Sequence, residues 1–501
     1  MAGSLAFLRP GQAFPLADIP LLTFERFRDV AMEESRKGAR VISFWGKPGN
    51  AEAVTLFMVL AYDREGQLGV ISTLVNNNFP SLTPQLPQVH GFEREIYEQW
   101  GVCPQGHPWL KPVRLPAVGR DGSLKDNIAL PRSSDFLAMQ GKEIHEVAVG
   151  PVHAGIIEPG HFRFQCHGEH VFHLEIALGY QYRGIERALI GVPDRKMIHY
   201  VETLSGDTTI GHALAYCQAM EGLTDRSVPS RALALRGIAL ELERLANHTG
   251  DLGALANDAG YLPTASYGGR LRGDFLNMTA LICGNRFGRN MVRPGGVAFD
   301  IPHGMIDELK RRLKRTFADV QNAVKLLWGS ALVVDRFEGT GVVARQTALD
   351  LGLVGVAARA CGIERDVRFD FPAGIYQFSQ IPVATCSSGD VFARAFVRWL
   401  EIQRSAEFIR DQLDHLPQTV ISTPGGAVQK EKMIVSLAEG WRGEICHVAL
   451  TDPGGRIAQY KIVDPSFHNW IGLAMALRGE PISDFPLCNK SFNLSYCGHD
   501  L

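Results

Sequence analysis

A long apolar segment in the middle of the chain constrains the fold most. Between Ser230 and His248 the large apolar side chains are Leu233, Ile238, Leu240, Leu242 and Leu245. At 3.6 residues per turn these positions do not form a single stripe, so a helix built from this segment is apolar on more than one side. Such a helix needs neighbours on several sides, which indicates a helical bundle. Pro229 comes directly before it and suits a first helical turn.

The same segment also carries charged side chains, and two interpretations of them are open. They are Arg236, Glu241, Glu243, Arg244 and His248, with Asp251 just beyond. In the first interpretation they form the solvent-exposed face of the helix. In the second they form a buried charged path, which is costly unless its charges are paired.

Two structural units follow from the pattern along the chain. Residues 1–115 predict a small α+β unit. Its predicted elements are a helix over residues 24–37, strands over residues 41–45, 53–62 and 68–74, and a short helix over residues 91–100 that ends at Gly101. Residues 116–145 are rich in proline, glycine and serine and predict a linker.

Residues 146–501 predict a larger unit. It opens with a β-hairpin over residues 162–178, and a second hairpin over residues 444–463 leads into a loop at residues 464–469. The predicted helices cover residues 230–248, 306–328, 348–360, 391–413 and 471–476. We therefore expect an α+β N-terminal domain followed by a mainly α-helical bundle domain with flanking β-hairpins.

Composition excludes several classes of protein. Of the 501 residues 46% are hydrophobic and 21% are charged, which is an ordinary soluble balance. The net charge of −2 gives no reason to expect a nucleic-acid partner. The longest nearly apolar run, residues 53–62, is about half of a bilayer span, so we expect no transmembrane helix. The first four residues lack the basic start of a signal peptide, which favours a cytoplasmic chain.

The cysteine pattern and the glycine pattern exclude common cofactor sites. The nine cysteines are widely spread and form no C-x-x-C pair, which argues against a disulfide scaffold, a zinc ribbon and a self-contained iron–sulfur site. We therefore expect buried reduced thiols and no metal held by this chain. No dinucleotide fingerprint and no phosphate-binding loop occur, so we expect no nucleotide bound by the chain itself.

Five motifs in residues 146–501 are those of a known family. They are GPVHAGIIEPGHFRF (150–164), GYQYRGIE (179–186), ELERLANH (241–248), RPGGV (293–297) and NKSFNLSY (489–496). In order and spacing this unit resembles the large subunit of respiratory, membrane-bound nickel–iron hydrogenases. It equally resembles their evolutionary cousin, the quinone-site subunit of complex I.

The first unit carries a resemblance of its own. Its motifs are PSLTP (80–84), ERE (93–95) and GHPWL (106–110). These are similar to motifs of the small hydrophilic partner subunit of complex I. The two units are fused in one chain, as in the large subunit of formate hydrogenlyase-type complexes.

The resemblance implies four cysteine ligands for nickel, and this chain lacks all of them. The segment VETLSGDT (201–208) stands where a C-G-x-C loop is expected, and DPSFHN (464–469) where a D-P-C-x-x-C loop is expected. The aligned residues are Ser205, Thr208, Ser466 and Asn469. Hydroxyls and an amide do not replace soft thiolates, so we expect no nickel–iron centre and no hydrogen activation.

The surroundings of the lost metal supply the candidate site residues. By the resemblance, Glu158 aligns with the glutamate that passes protons in hydrogenases, and His153 with a histidine of the complex I quinone motif. Asp207 and His468 lie inside the two former ligand loops. These four are the catalytic candidates, and Arg293 joins the four replaced ligands as a candidate for cofactor binding. The family arrangement implies a polar cavity, similar to a quinone site, beside an iron–sulfur cluster of a partner subunit.

Three functional hypotheses follow from the resemblance. The first is a nickel-free electron-transfer subunit of a complex I-like, ion-pumping assembly at the cytoplasmic face of the cell membrane. Its implied partners are a small iron–sulfur subunit and antiporter-like membrane subunits, with quinone as a possible ligand and NAD reached only through the complex. The second is a non-catalytic subunit that bridges the same partners. The third is an active hydrogenase with unusual ligands.

Overall fold

The computed structural model describes residues 4–49, 53–116, 136–141, 143–152 and 158–501. The first unit combines helices with sheets. Its elements are β1 (Ala6–Leu8), β2 (Phe14–Pro15), β3 (Leu21–Leu22), α1 (Phe24–Arg36), β4 (Arg40–Pro48), β5 (Val54–Tyr62), β6 (Gln67–Val75), β7 (Asn78–Pro80), α2 (His90–Trp100) and β8 (Cys103–Gln105). The strands β1, β6, β5 and β4 form an antiparallel sheet in that order, and β3 pairs with β6 in parallel.

Local sequence explains both helices of this unit, and the predictions for them are confirmed. Thr23 caps α1 because its side chain accepts a hydrogen bond from the backbone N–H of Arg26. Phe27 and Val30 are buried on the inner side of α1. Helix α2 ends at Gly101, whose φ of 69° is the left-handed conformation that glycine adopts without strain.

The rest of the chain begins with strands, becomes helical and returns to strands. Its elements are β9 (Ile144–Val149), β10 (His161–His167), β11 (His170–Ala177), α3 (Ile185–Ala188), α4 (Met197–Val201), α5 (Thr209–Leu223), α6 (Ser230–Asp258), α7 (Leu262–Cys283), β12 (Val292–Arg293), β13 (Gly296–Val297), α8 (His303–Trp328), α9 (Ala331–Phe337), α10 (Arg345–Asp350), α11 (Gly355–Arg359), α12 (Val367–Asp370), α13 (Val391–Asp414), β14 (Lys432–Glu439), β15 (Glu444–Thr451), β16 (Ile457–Val463), α14 (Pro465–Ala476), α15 (Phe485–Phe492) and α16 (Tyr496–Asp500). The expected mixture of helices and sheets is confirmed. No helix in these described ranges is long and apolar enough to cross a membrane.

Helix α6 is the centre of this part of the fold. Its 29 residues run ten positions past the predicted end, and it packs against α5, α7, α8 and α13. It comes closest to α7 at Gly253 and Gly268. A Cβ atom on Gly253 would lie 2.8 Å from the Cα atom of Gly268, so a side chain there would separate the two helices. The apolar residues on several sides of α6 are therefore covered by separate neighbours.

The charged residues of α6 form a buried path, which decides between the two open interpretations. Arg244 donates to Glu241 over 3.0 Å and to the backbone carbonyl of Gly440 over 3.0 Å. Glu401 on α13 accepts from Arg359 over 2.7 Å and from His248 over 2.8 Å. Arg244, Glu241, His248, Arg359 and Glu401 are all buried. Each charge has a partner, which offsets the cost of removing it from water.

Two predictions about local structure are wrong. The helix predicted over residues 348–360 is two short helices, α10 and α11, because Gly352 and Gly355 take φ values of 68° and 62°. The segment predicted as a loop over residues 464–469 is the start of α14. Asp464 caps that helix by accepting from the backbone N–H of Ser466 over 2.7 Å.

A sheet and an ion pair connect the first unit to the rest of the chain. Strands β16, β15, β14 and β2 form one antiparallel sheet, to which the first unit contributes β2. Arg40 on β4 donates to both carboxylate oxygens of Glu444 on β15, over 2.7 and 2.5 Å. The same guanidinium donates to Asp63 over 2.9 Å. Arg40 and Glu444 are buried, so this contact joins the two units through charges that have no access to water.

Replacing Arg40 with methionine is expected to lower the free energy of unfolding by about 3–5 kcal/mol, because it leaves the Glu444 carboxylate buried without its cation. Urea denaturation of the purified chain measures this change. The matched control is Arg26→Met, which removes an exposed pair with Glu33 and is expected to cost no more than about 1 kcal/mol. Equal effects of the two substitutions would contradict the assignment of the Arg40 contact as a connection between the units.

Candidate functional site

An arginine stands beside the first of the two former ligand segments. Arg442 donates from Nη1 to Asp207 Oδ1 over 2.6 Å and from Nη2 to Asp207 Oδ2 over 2.8 Å. Its Nη1 also lies 3.3 Å from Ser205 Oγ and 3.2 Å from Thr208 Oγ1. The guanidinium carbon lies 3.9 Å from the centre of the Trp441 ring. A fixed cation therefore contacts both hydroxyls of this segment, Ser205 and Thr208.

The turn between β14 and β15 places this arginine. Gly440 and Gly443 exchange backbone hydrogen bonds of 2.8 and 3.1 Å, which leaves Trp441 and Arg442 at the tip of a two-residue hairpin. Gly443 takes a φ of 140°, and a Cβ atom on it would lie 2.8 Å from Gly355. The Trp441 indole N–H donates to the backbone carbonyl of Asp207 over 2.9 Å. The hairpin tip is thus fixed to the segment that Arg442 binds.

The segment of Asp207 is held by α6. Glu243 accepts from the backbone N–H groups of Ile210 and Gly211, over 2.7 and 3.2 Å, at the start of α5. Asn247 donates to the carbonyl of Asp207 over 2.9 Å. Burial raises the pKa of Glu243 to about 8, with a smaller contribution from the negative charge of Asp207. Glu243 is therefore largely protonated at neutral pH, which its place among the charged residues of the segment did not indicate.

The pKa of Asp207 is shifted in the opposite direction to that of Glu243. Its partial burial raises its pKa, and the Arg442 guanidinium more than offsets this, so the pKa is about 2. Asp207 therefore stays ionised at every physiological pH. Asp207 holds the Arg442 guanidinium in position. Glu243, which is largely protonated, is the better candidate for a proton donor.

Ser495 is the second residue that the sequence did not identify. Its Oγ lies 2.9 Å from Ser205 Oγ, and it accepts from the backbone N–H of Gly498 over 2.9 Å. Its backbone N–H donates to Ser466 Oγ over 2.8 Å. The pair Ser495 and Gly498 repeats the spacing of Ser205 and Thr208, with two residues between the members of each pair. This repeated spacing is the sequence pattern from which Ser495 could have been identified as a site residue.

Ser466 and Asn469 are further from Arg442 than the resemblance implies. Ser466 is linked to Ser205 through Ser495. The Asn469 side chain accepts from the backbone N–H of Val354 over 3.0 Å and donates to its carbonyl over 3.1 Å. Its amide is thus engaged by the start of α11.

Glu158 lies at the opposite edge of the same cluster. Its Oε2 accepts from the backbone N–H groups of Tyr496 and Cys497, over 3.2 and 3.3 Å. The Cys497 thiol lies 3.4 Å from Ser495 Oγ, and burial together with the Glu158 charge raises its pKa to about 11. Glu158 therefore reaches the hydroxyl cluster through the turn of residues 495–498. His153 lies outside the described residues.

His468 and Arg293 have surroundings of their own. The His468 ring packs edge-on against Phe92 of the first unit, with 5.6 Å between ring centres. Burial, followed by the charge of Arg40, lowers its pKa to about 3, so the ring is neutral. Arg293 donates to Glu202 over 3.2 Å and also to Asn290. No hydrogen bond among the described residues joins either side chain to Arg442.

The side chains of this site do not suit a nickel ion. The groups around Arg442 are neutral hydroxyls and one carboxylate that is already paired with the guanidinium. A soft divalent metal prefers thiolates, and a fixed positive charge opposes its binding. Within the described ranges, no group of three or more histidine, cysteine or acidic side chains is arranged to hold a metal ion.

Comparison with protein families accounts for both units. Residues 258–434 match the model of the respiratory-chain NADH dehydrogenase 49 kDa subunit, and residues 17–125 match that of the 30 kDa subunit. The carbon monoxide-induced hydrogenase of Rhodospirillum rubrum is 30% identical over 362 residues, which cover 70% of this chain and 97% of that protein. This chain belongs to the 49 kDa subunit family.

Other members of the family match at similar levels. NADH-quinone oxidoreductase subunit 4 of Thermus thermophilus is 30% identical over 369 residues, or 68% of this chain and 90% of the relative. Hydrogenase-4 component G of Escherichia coli is 28% identical over 453 residues, or 85% of this chain and 77% of the relative. The resemblance inferred from the motifs, including the fusion with a 30 kDa-type unit, is confirmed. The relatives are subunits of complex I-like or hydrogenase complexes.

The buried histidines predict how stability depends on pH. Burial lowers the pKa of several histidines far below their usual value near 6.5: His90 to about 3, His107 to about 4, His248 to about 4 and His468 to about 3. Between those values and 6.5 the unfolded chain binds protons that the folded chain does not. The free energy of unfolding therefore falls as the pH decreases from about 6.5 to about 4, by up to about 1.4 kcal/mol per pH unit for each histidine.

His468→Gln is expected to reduce this pH slope by about one proton equivalent, or about 1.4 kcal/mol per pH unit. Urea denaturation at several pH values between 6 and 4 measures the slope. The exposed His303 provides the control, and His303→Gln is expected to leave the slope unchanged. An unchanged slope in His468→Gln would show that His468 is protonated in the folded chain.

Proposed function

We propose that this chain is the electron-transfer subunit of a complex I-like, ion-pumping assembly and that it works without a nickel–iron centre of its own. The Arg442–Asp207 ion pair is the observation that carries the proposal. In a family whose members include hydrogenases and quinone oxidoreductases, it puts a cation among hydroxyls where the resemblance implies thiolates. Residues 1–115 and 146–501 act in this proposal as two fused units joined by residues 116–145.

The positions of the lost ligands are part of the proposal. Thiolates that share one metal at about 2.3 Å lie roughly 4 Å from one another. Ser205 Oγ lies 3.3 Å from Thr208 Oγ1 and 2.9 Å from Ser495 Oγ. A Cβ atom on Gly498 would lie 2.9 Å from Ser495 Oγ. We therefore assign the second ligand pair to Ser495 and Gly498, in place of Ser466 and Asn469.

The remaining side chains suit the head group of a quinone. Its carbonyl oxygens accept hydrogen bonds, which Arg442, Ser205 and Ser495 can donate. Reduction of a quinone to a quinol takes two electrons and two protons. The electrons come from an iron–sulfur cluster of a partner subunit. Glu243 and Glu158 are the proposed proton donors near the hydroxyl groups of Ser205 and Ser495. Asp207 holds the guanidinium in place.

The assembly would supply what the chain lacks. Its proposed partners are a small iron–sulfur subunit and antiporter-like membrane subunits, and its proposed place is the cytoplasmic face of the cell membrane. NAD would act only through the complex. His153, Arg293 and His468 remain proposed as part of the site or its rim, although His468 is directed toward the first unit.

A second function is favoured by one feature of the same ion pair. Both carboxylate oxygens of Asp207 are satisfied by Arg442, and the two neighbouring hydroxyls are within hydrogen-bonding distance of it. A cluster that satisfies itself in this way needs no ligand. It would serve equally in a non-catalytic subunit that bridges the iron–sulfur and membrane partners.

Metal content and quinone turnover of the complex distinguish these functions. The complex is purified from membranes through a tag on this chain, its nickel is measured by mass spectrometry, and its reduction of a short-chain quinone is followed after chemical reduction. We expect far less than one nickel per chain and measurable quinone reduction. Arg442→Met is expected to lower the turnover by about 10²–10³-fold, the usual cost of losing one charged hydrogen-bond donor in a reacting site.

The control is Arg289→Met, which removes an exposed arginine and is expected to leave the turnover unchanged. Stoichiometric nickel would contradict the proposal and favour an active hydrogenase. Unchanged turnover in both Arg442→Met and Glu158→Gln would favour the bridging function.

A further inference from the structure

Four buried side chains form a continuous row of hydrogen bonds that begins beside the candidate site. Asp464 Oδ2 lies 3.0 Å from His212 Nε2. His212 Nδ1 lies 3.2 Å from His447 Nε2, and His447 Nδ1 lies 2.9 Å from Tyr460 Oη. All four residues are at most 2% exposed. We name this row, from Asp464 to Tyr460, the histidine row.

Its inner end touches the residues around Arg442. Asp464 uses Oδ1 to accept from Ser466, whose hydroxyl accepts from the backbone of Ser495. Its Oδ2 would lie 2.7 Å from a Cβ atom on Gly498, in the turn that carries Ser495. Asp464 is therefore linked to Ser205, which Arg442 contacts, through Ser466 and Ser495.

Its outer end lies beneath a surface turn. The ring of Tyr460 packs beside that of Tyr216 on α5, with 6.2 Å between ring centres. Burial raises the pKa of Tyr216, and the negative charge of Asp194 raises it further. Asp194 is an exposed residue of the turn that precedes α4. The histidine row thus extends from the hydroxyl cluster toward the protein surface.

The ionised carboxylate at the inner end sets the direction of the hydrogen bonds when both imidazole rings are neutral. Burial raises the pKa of Asp464, but its hydrogen bonds with His212 and Ser466 and the charge of Arg442 lower it by more, so the carboxylate is ionised and only accepts. His212 must therefore carry its hydrogen on Nε2. If the His212 ring is neutral it has only this one N–H, and its Nδ1 then accepts from Nε2 of His447. His447 Nδ1 then accepts from the Tyr460 hydroxyl.

All three hydrogens consequently point toward Asp464. Burial holds the pKa of His447 far below its usual range, which keeps that ring neutral. A row in which each group donates in one direction and accepts from the other can pass protons by successive short transfers. Apolar side chains at positions 212 and 447 would fill the same space without the cost of burying polar groups.

We propose that the histidine row is a proton relay that serves the Arg442 site. The inference rests on the proposed function in one respect, the need of that site for protons. In the transfer, Tyr460 gives its hydroxyl hydrogen to His447 Nδ1, and His447 Nε2 gives its hydrogen to His212 Nδ1. His212 Nε2 then gives its hydrogen to Asp464, while Tyr460 regains one from water on the surface side. One proton moves inward, and no electrons are transferred.

Proton exchange at His212 tests the relay without any assay of activity. The full-length chain is labelled with nitrogen-15 in its histidine rings, and the protonated nitrogen of each ring is assigned by NMR. Hydrogen exchange at His212 Nε2 is then timed in deuterated water. Tyr460→Phe, which removes only the hydroxyl, is expected to slow this exchange on the order of 10²-fold, the contribution typical of a positioned proton donor.

Two further variants complete the test. His447→Gln can still donate and accept hydrogen bonds but cannot pass a proton between two ring nitrogens, so it is expected to slow the exchange equally. Tyr62→Phe removes a hydroxyl that donates to Glu34 over 2.7 Å in the first unit, and it is expected to leave the rate unchanged.

A hydrogen on Nδ1 of either His212 or His447 in the folded wild-type chain would overturn the proposal. Unchanged exchange at His212 in a folded Tyr460→Phe or His447→Gln chain would overturn it as well. A complex that reduces no quinone while His212 exchanges as expected would overturn the proposed function and leave the relay supported.

Discussion

The two-point contact between Arg442 and Asp207 is the interaction on which the account of this protein depends. It fixes a positive charge between Ser205 and Thr208, and it holds Asp207 permanently ionised. The hairpin tip that carries Arg442 and the segment that carries Asp207 come from opposite ends of the second unit. The contact therefore sets both the position of the two segments and the charge of the site. A cation and three hydroxyls together favour polar ligands over metal ions.

The surrounding fold supplies the low polarity that such a pair requires. Helix α6 runs behind the site, covered on several sides, and its charges are paired with those of α12 and α13. The same helix carries Glu243, which supports the start of α5 while staying largely protonated. The charged residues of α6 thus have two roles. Their ion pairs hold the helices together, and they set the protonation of groups beside Arg442.

Much of the fold could be predicted from sequence, because periodicity and caps act locally: α1, α2, α8, α13 and both hairpins were found this way. The break at Gly352 depends on backbone angles that apolar spacing does not reveal. The family was also visible in the motifs. The approach of Ser495 to Ser205 was not, since it is a contact across 290 residues. Likewise, only the folded chain shows that Asn469 is engaged by Val354.

The central claim is that a guanidinium takes the place of a metal in this member of the family. The most direct measurement is a high-resolution cryo-electron microscopy map of the complex purified from its membrane, with the metals in the sample identified by X-ray fluorescence. The account predicts planar side-chain density for Arg442 against Asp207 and no nickel signal. Compact density for an ion bound between Ser205 and Ser495, together with stoichiometric nickel and a displaced Arg442, would contradict it.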